Sequence, residues 1–259
     1  MPEKIADEIP DEITINISEG KNYLTKPELF MLDLLSGYNW DRQINLLNMG
    51  GDIEIGLKDY LMYDGFSYRF VPFKNKVTST NPGKVDALEL YHKMKDVYTW
   101  DALSREDWFV DYQNLYTFLG VLSQRAIHVS TAQALIDAGE KEKALEILDL
   151  CQERVKESNF PLESICLGFT SNDYMVIRMV SDYYKLGAPD KAAALGLRMG
   201  EKLLQSAKFY LEFSDYASSD FELVGQYIYY LADELTKGGD AEIADTLTGT
   251  LEKLIDLVE

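Results

Sequence analysis

Hydrophobic and polar positions follow two different periods along the chain. Over residues 13–17 apolar and polar residues alternate, which is typical of a half-buried strand. Residues 42–48 and 66–73 are also interpreted as strands, and short helices are predicted at 29–35 and 56–63. The order is β-α-β-α-β. Because strands joined by helical crossovers tend to run parallel, the pattern predicts a small α/β unit.

The first predicted helix has a strong start signal. Thr25-Lys26-Pro27-Glu28 combines a capping box with a proline in the first turn. The apolar run that follows stops before Gly37, a residue type that commonly ends helices. This segment therefore predicts a helix with two defined ends.

Beyond a polar loop at 74–84, nearly all of the pattern is helical. Apolar residues recur at three-residue steps over 85–98, and a longer helical tract is predicted from Trp108 onward. The fold class is therefore α+β overall and mostly α. The predicted domains are an acidic flexible arm at 1–12, a small α/β domain at 13–84 and a helical domain at 85–259.

An internal repeat occupies the helical half. Each of three segments has a helix, a glycine, and a second helix with a small residue five positions after that glycine. The glycines and small residues are Gly139 with Ala144, Gly187 with Ala192, and Gly239 with Ala244.

These spacings resemble the tetratricopeptide repeat, in which the glycine ends helix A and the small residue lets helix B lie close against it. The proline that ends the family's repeat is missing. The glycines lie 48 and 52 residues apart, whereas the family's period is about 34, so longer helices or inserted connections are expected. A generic array of helical hairpins is the alternative.

Composition narrows the functional classes. The 259 residues carry 25 Lys and Arg against 44 Asp and Glu, a net charge of −19. This charge argues against nucleic acid or an anionic membrane surface as a partner, because both require a basic footprint. No apolar stretch approaches the roughly 18 residues of a membrane span, and the acidic start lacks the features of a signal peptide. A water-soluble chain that does not itself insert into a membrane is expected.

Few residues carry catalytic or metal-binding chemistry. The two cysteines, Cys151 and Cys166, are too few for a disulfide framework or a four-thiolate zinc site, and whether they pair is open. The only histidines, His92 and His128, are not at ligand spacing from a second His or Cys. No nucleophile-base motif is present. No catalytic residue, cofactor or metal is therefore expected.

Aromatic and cationic residues near the predicted strands are the first binding candidates. A tryptophan that enters a strand, such as Trp40, is usually a core anchor, and an adjacent arginine such as Arg42 usually pairs with an acid. An aromatic face beside a guanidinium also holds sugars or phosphates. Tyr60, Tyr68 and Arg69 join the candidates because strand ends converge in such units.

The inside of the helical array is the second candidate surface. The concave face built from A helices usually receives an extended peptide or a partner helix. Aromatics at helical spacing serve either packing or ligand contact, and both readings stay open here. The candidates are Tyr112, Tyr116, Tyr183, Tyr184, Tyr227 and Tyr230.

Five sequence blocks carry a second resemblance. They occur in the order 21–28 with 32–33, then 39–42, 56–60, 64–72 and 83–86. Together they resemble the soluble C-terminal region of a large, uncharacterised Bacteroidetes family of polytopic membrane proteins. The transmembrane part of that family is similar to lipid-linked-sugar glycosyltransferases such as protein O-mannosyltransferases. The chain departs from the family at 42–45, where Arg-Gln-Ile-Asn stands in place of Arg-Pro-Ile-Tyr.

This resemblance implies a longer native protein, with the present chain as a soluble domain on the periplasmic side of the inner membrane. The catalytic acids expected in the membrane part are absent from these residues, so this chain alone is not expected to be an enzyme. One hypothesis is a non-catalytic interaction or scaffolding domain for a polypeptide or for the membrane enzyme. The other is a domain that recognises a sugar or glycosylation acceptor and contributes directly to glycosyl transfer by the full-length enzyme.

Overall fold

The computed structural model describes residues 9–14, 22–47, 55–75, 83–111, 121–164 and 170–256. Within these ranges the protein is mostly helical and contains one small antiparallel sheet, which confirms the predicted α+β, mostly α class. The chain divides into two compact units, 1–90 and 91–259. The domain boundaries derived from the sequence stay a prediction.

The first unit holds a helix and three short strands. Its elements are α1 (Lys26–Ser36), β1 (Asn45–Leu46), a 3₁₀ turn (Leu57–Asp59), β2 (Leu61–Tyr63) and β3 (Tyr68–Phe70). Helix α2 (Ala87–His92) follows and continues into a π turn (Lys93–Val97). The remaining helices are α3 (Val121–Asp137), α4 (Lys141–Arg154), α5 (Thr170–Lys185), α6 (Pro189–Glu212), α7 (Ser214–Gly238) and α8 (Ala241–Ile255).

The capping box predicted for α1 is confirmed. The backbone N–H of Thr25 donates to the Glu28 carboxylate at 2.7 Å, and the Thr25 side chain completes the reciprocal cap. Gly37 follows the last turn. Met31, Leu32 and Leu35 on one side of α1 pack against a buried cluster in this unit. Its members are Leu46, Ile55, Leu57, Tyr60, Leu61 and Phe70.

The predicted parallel arrangement of strands is wrong. The sheet order is β1-β3-β2, and both pairings are antiparallel. Residues 56–63, predicted as a helix, form the 3₁₀ turn and then β2. The connection from β2 to β3 is a tight turn, in which Asp64 N–H donates to the Ser67 carbonyl at 2.9 Å. A connection this short can join only antiparallel strands.

Three other sequence predictions need qualification. Of the strand predicted at 13–17, residues 15–17 lie outside the described residues, and Ile13 and Thr14 have no regular structure. Residues 50–52, where Gly-Gly-Asp predicts a turn, also lie outside the described residues. The helical tract does not begin at Trp108, since residues 101–111 are not helical. Trp108 and Phe109 are instead exposed in an irregular segment.

The three repeat glycines make the same turn. They are Gly139, Gly187 and Gly239, with φ of 81°, 78° and 103°. In the first turn Gly139 N–H donates to Ile136 O at 3.0 Å, and Glu140 N–H donates to Leu135 O at 2.8 Å. Both bonds recur at the other two glycines. This pair of bonds is the Schellman helix end, which needs a left-handed residue that glycine adopts most easily.

Each turn leads directly into a B helix, so α3–α4, α5–α6 and α7–α8 are helical hairpins. The small residues predicted to allow close approach, Ala144, Ala192 and Ala244, are all buried. Helix α5 contacts both other A helices, and the B helices α6 and α8 contact each other. The wide glycine spacing reflects long helices, because α6 has 24 residues and α7 has 25.

The segment after α2 packs on the first hairpin. The Trp100 indole N–H donates to Gln124 of α3 at 2.9 Å. Its ring lies under the Arg154 guanidinium of α4, 4.6 Å away. Arg154 also donates to the Met94 carbonyl at 2.6 Å. These contacts hold the segment against both helices of the first hairpin.

Candidate functional site

A cleft of about 280 Å³ opens in the first unit beside strand β3. Its walls combine apolar side chains with a few polar and charged ones, as ligand pockets usually do. Two residues predicted as binding candidates, Trp40 and Arg69, line it together. The full lining is Tyr38, Trp40, Gln43, Met62, Arg69, Phe70, Val71, Pro72, Phe73, Lys84, Val85 and Asp86.

Trp40 provides an aromatic surface that is still open to solvent. Its indole lies parallel to the Phe70 ring, with centroids 5.3 Å apart and 10° between the planes. The Tyr38 ring lies 4.6 Å away and is tilted. Despite these contacts Trp40 is 42% exposed. Its φ of 67° is left-handed, which is uncommon for a bulky residue.

Open space adjoins Trp40 in a second cleft as well. This cleft is about 440 Å³, and Tyr38, Trp40, Phe70 and Pro72 belong to both linings. The aromatic group of Tyr38, Trp40 and Phe70 therefore stands between two concave surfaces. A ligand in either cleft would lie against these shared rings.

Arg69 places a guanidinium in the 280 Å³ cleft. It projects from β3, and its Nη2 donates to Asp64 Oδ1 at 3.2 Å. The Asp64 side chain is buried, whereas that of Arg69 is 18% exposed. The Arg69 Nε is buried and has no hydrogen-bond partner. Strand β3 thus carries the cation of Arg69. The Asp64 carboxylate orients it but does not use all of its N–H donors.

One wall of the cleft is fixed by Asn75. This buried amide donates to Leu61 O and to Lys84 O, each at 2.9 Å, and accepts the Lys84 backbone N–H at 2.5 Å. Gly83 allows this approach, because a Cβ there would lie 2.3 Å from the Asn75 Oδ1 and its φ is 69°. Asn75 therefore ties Lys84 to strand β2.

The other strand-end candidates do not line this cleft. Tyr60 is buried in the core cluster. Tyr68 packs edge-on against Tyr63 at 5.8 Å, and burial raises its pKa above the ordinary value. Arg42 is exposed, and its backbone carbonyl accepts a hydrogen bond from the Tyr38 hydroxyl. The structure therefore brings together two of the five residues predicted near the strands.

The tyrosines predicted on A helices fall into three groups. Tyr112 and Tyr116 lie outside the described residues. Tyr183 is buried and donates to Asp149 at 3.2 Å, and burial raises its pKa well above the ordinary value. Tyr184 is half-buried and donates to Asp240 of the next hairpin. Both residues are engaged in packing between helices.

The remaining pair is more accessible. Tyr230 is 57% exposed and meets the half-buried Tyr227 edge-on at 6.0 Å. Tyr174 on the neighbouring helix α5 is 49% exposed, a residue that the sequence reasoning missed. Its position on a predicted A helix was the signal that could have found it. The sequence pattern did not show which residues of that helix face a neighbouring helix and which face solvent.

Sequence reasoning also missed the apolar wall of the cleft and its four other residues with polar side chains, Tyr38, Gln43, Lys84 and Asp86. Asn75, which holds the Lys84 wall, was missed as well. Lys84 and Asp86 lie in the block 83–86 that contributed to the family resemblance. The resemblance marked these residues but did not indicate that they line a cleft. Gln43 lies where the chain departs from that family.

Within the described ranges, the lining provides one carboxylate and two cationic side chains as binding groups. Its one carboxylate, Asp86 Oδ1, accepts the Glu89 backbone N–H at 3.1 Å at the start of α2. Among the described residues, no three His, Cys, Asp or Glu side chains are grouped as a metal site. Elsewhere, the Cys151 thiol is free and buried, and burial raises its pKa to about 12. The cleft can therefore orient a ligand through stacking, charge and hydrogen bonds.

Residues 1–89 match the family TMEM260-associated domain 2. No curated protein and no solved structure matches the chain. The matched region contains every residue that lines the two clefts. In the parts of the chain that the structure describes, no helix is long and apolar enough to cross a membrane. The N-terminal part of the chain is thus similar to an accessory domain of TMEM260-like proteins.

Proposed function

We propose that this chain is a non-catalytic recognition domain of a larger TMEM260-like protein, and that its first unit binds a saccharide. The observation that carries the proposal is the half-exposed indole of Trp40 beside the Arg69 guanidinium in one cleft. A sugar ring stacks its C–H face on an indole, and its hydroxyl oxygens accept hydrogen bonds from cationic side chains.

The match over residues 1–89 supports an accessory role, because it is to a domain that accompanies TMEM260-like proteins. The wider sequence resemblance supports a place beside a membrane glycosyltransferase, on the periplasmic side of the inner membrane. In that setting the domain presents a sugar or glycosylation acceptor to catalytic residues of the membrane part. The isolated chain then binds saccharide without turning it over.

Saturation-transfer NMR tests the saccharide site. The methyl glycosides of glucose, galactose and mannose are added to the chain and to Trp40→Ala. We expect saturation transfer to the ring protons of at least one glycoside with the natural chain, and its loss with Trp40→Ala. Trp108→Ala is the matched control, since Trp108 is similarly exposed but lies outside both clefts. Equal signals from all three proteins would contradict the proposal.

A second function is favoured by the A helices. Tyr174 on α5 and Tyr230 on α7 are both about half exposed on neighbouring helices of the hairpin array. The A helices are joined laterally, for example by Arg178 donating to Gln133 at 2.9 Å. A joined row of helices with exposed aromatics suits an extended polypeptide or a partner helix. We therefore retain polypeptide docking on the array as the second candidate.

Site-specific photo-crosslinking tests this second function. A benzoylphenylalanine replaces Tyr230 in the full reading frame expressed in its native host. We expect one discrete polypeptide adduct from this position. The same residue placed at Lys253, exposed on the B helix α8, is the matched control and should yield none. Identical adducts from both positions, or no adduct from Tyr230, would contradict docking on the A helices.

A further inference from the structure

We propose that the two clefts beside Trp40 bind neighbouring sugars of one glycan, so that the ligand is an oligosaccharide of at least two residues. The inference rests on the proposed saccharide site and adds the length of the ligand to it. It begins from the shared lining of the two clefts, since Tyr38, Trp40, Phe70 and Pro72 belong to both. All the lining residues fall within the one compact unit 1–90.

The partition between the two clefts is thin. It is formed by the shared aromatic group, in which the Trp40 ring lies 4.6 Å from the Tyr38 ring and 5.3 Å from the Phe70 ring. Trp40 is 42% exposed, so part of its indole reaches the surface of the unit. A sugar chain that passes over this exposed part keeps contact with the indole between one cleft and the other. The clefts are therefore neighbouring subsites of one binding site.

Neither cleft alone is large enough for an extended glycan. Their volumes are about 280 Å³ and 440 Å³, near the lower end of ligand pockets, which span roughly 300–1,000 Å³. The smaller cleft has room for little more than a single sugar ring. The next sugar of a longer chain then lies outside it, at the Trp40 partition, where the second cleft begins.

The larger cleft offers a sugar the same kinds of surface as the smaller one. Leu32 and Leu35 of α1 line it and pack against the buried cluster of this unit, so the apolar side is fixed by the core. Asp11 adds an exposed carboxylate to the lining. The Ser36 hydroxyl, which also lines the cleft, donates to the Asp33 carbonyl and can still accept a hydrogen bond. Sugar hydroxyls donate as well as accept, so these oxygen atoms suit them.

A covalent link between two sugars makes the second contact favourable. Once one sugar occupies either cleft, the glycosidic bond holds its neighbour close to the other cleft at a high effective concentration. The neighbour then binds without a second loss of translational and rotational freedom. Affinity should therefore rise when the ligand is extended from one sugar to two.

A matched series of probes measures the effect of ligand length. For glucose, galactose and mannose, the methyl glycoside is compared by titration with the methyl glycosides of the disaccharides of the same sugar linked through O2, O3, O4 or O6. These linkages cover the directions in which a second sugar can leave the first. We expect at least one disaccharide to bind about tenfold more tightly than its monosaccharide, because the second contact is intramolecular.

Two variants assign the gain in affinity to the two clefts. Gln43 lines only the smaller cleft and Ser36 only the larger one, and both are exposed, so their substitution should leave the fold intact. Gln43→Leu removes an amide that can bind sugar hydroxyls, and Ser36→Leu adds bulk to the larger cleft. We expect each to reduce the gain by at least about threefold, the size of one lost hydrogen bond. Lys26→Leu, at an exposed position of α1 outside both clefts, should leave the gain unchanged.

The outcomes separate the two proposals. Binding of a monosaccharide that depends on Trp40, with no gain for any disaccharide, would overturn the two-cleft ligand and leave the saccharide site standing. A gain that survives in Gln43→Leu or in Ser36→Leu would also overturn it. If no probe bound, the saccharide site and the two-cleft ligand would both fall. A gain that both cleft variants reduce and Lys26→Leu retains supports both.

Discussion

The indole of Trp40 lies parallel to the Phe70 ring at 5.3 Å between centroids, while the Trp40 backbone adopts a left-handed φ of 67°. A bulky residue in this conformation is strained, and such strain often marks functional positions. The stack and the backbone together fix the direction of the indole. The aromatic surface is therefore set by the fold before any ligand binds.

The strain at Trp40 predicts an order of stability between two variants. Trp40→Ala and Trp40→Gly both lose the stack on Phe70. Only glycine adopts a φ of 67° without a steric clash, because it has no Cβ. We expect Trp40→Gly to be more stable than Trp40→Ala by about 1 kcal/mol. Urea denaturation of the two variants measures the difference. A more stable alanine variant would show that the position is not strained.

The cleft wall predicts a second contrast between glycines. Gly83→Ala would place a Cβ 2.3 Å from the Asn75 Oδ1 at a φ of 69°, so it should destabilise the first unit by about 2 kcal/mol or more. Gly37→Ala has no atom within 4 Å of its new Cβ and should change stability by less than about 0.5 kcal/mol.

Chemical denaturation of both variants provides the comparison. Gly83→Ala should also weaken saccharide binding, because Asn75 positions Lys84 beside the ligand. Equal stability of the two variants would contradict the role assigned to the contact between Asn75 and Gly83.

The sequence predicted the hairpin array better than the sheet. The Schellman turn at Gly139 depends on residues within five positions of each other, so a local pattern reveals it. The sheet depends on β2, where Leu61, Met62 and Tyr63 are three successive apolar residues that fit a helix or a strand equally well. Only pairing with β3 decides between them, and that pairing is not visible in the pattern.

The candidate site was also predictable only in part, because a sequence pattern reveals local features and not contacts between distant residues. Trp40 and Arg69 were found because their chemistry is conspicuous. Lys84 joins them only through Asn75, nine positions earlier, and no helical or strand period relates the two. On the array, Tyr183 and Tyr230 both follow a helical pattern. Whether a neighbouring helix covers each one depends on the stacking of hairpins.

Packing between the second and third hairpins gives a further prediction. A Cβ added at Gly238 would lie 2.3 Å from the Tyr184 ring, which is rigid and whose hydroxyl binds Asp240. We expect Gly238→Ala to destabilise the second unit by about 1–3 kcal/mol. Gly249→Ala in α8 meets no atom within 4 Å and should stabilise it by about 0.5–1 kcal/mol, because alanine favours a helix. Thermal unfolding distinguishes the two, and a stabilising Gly238→Ala would contradict the contact.

His128 predicts acid sensitivity of the second unit. The ring is buried against Trp100 at 5.0 Å, and burial lowers its pKa from 6.5 to about 4. The unfolded chain therefore takes up a proton at higher pH than the folded chain does. The contribution of neutral His128 to the stability of the second unit is fully present above about pH 6.5. It falls by roughly 3 kcal/mol as the pH drops towards 4.

Asp173 has the opposite effect on the pH dependence of stability, over nearly the same pH range. Burial raises its pKa from 3.8 to about 7, although Ser164 donates to the carboxylate. The folded form holds the proton more tightly, so this contribution is present below pH 4 and is lost as the pH rises through 7. We expect Asp173→Asn to match the natural chain near pH 4 and to exceed its stability by a few kcal/mol near pH 8.

Trp100 fluorescence can follow both effects in a Trp40→Phe and Trp108→Phe background. In that background Asp173→Asn should show a steeper rise of stability between pH 4 and 6.5, because the opposing contribution of Asp173 is then absent. An unchanged slope would contradict the assignment of Asp173.

The most direct test of the proposed recognition role is ¹⁹F NMR of the chain labelled with 5-fluorotryptophan. The three tryptophans give three signals, and Trp40→Phe identifies that of Trp40. Titration with the methyl glycoside that shows saturation transfer should shift the Trp40 signal saturably and leave those of buried Trp100 and exposed Trp108 in place. A Trp40 signal that does not move at saturating saccharide, or three signals that move together, would contradict a saccharide site at Trp40.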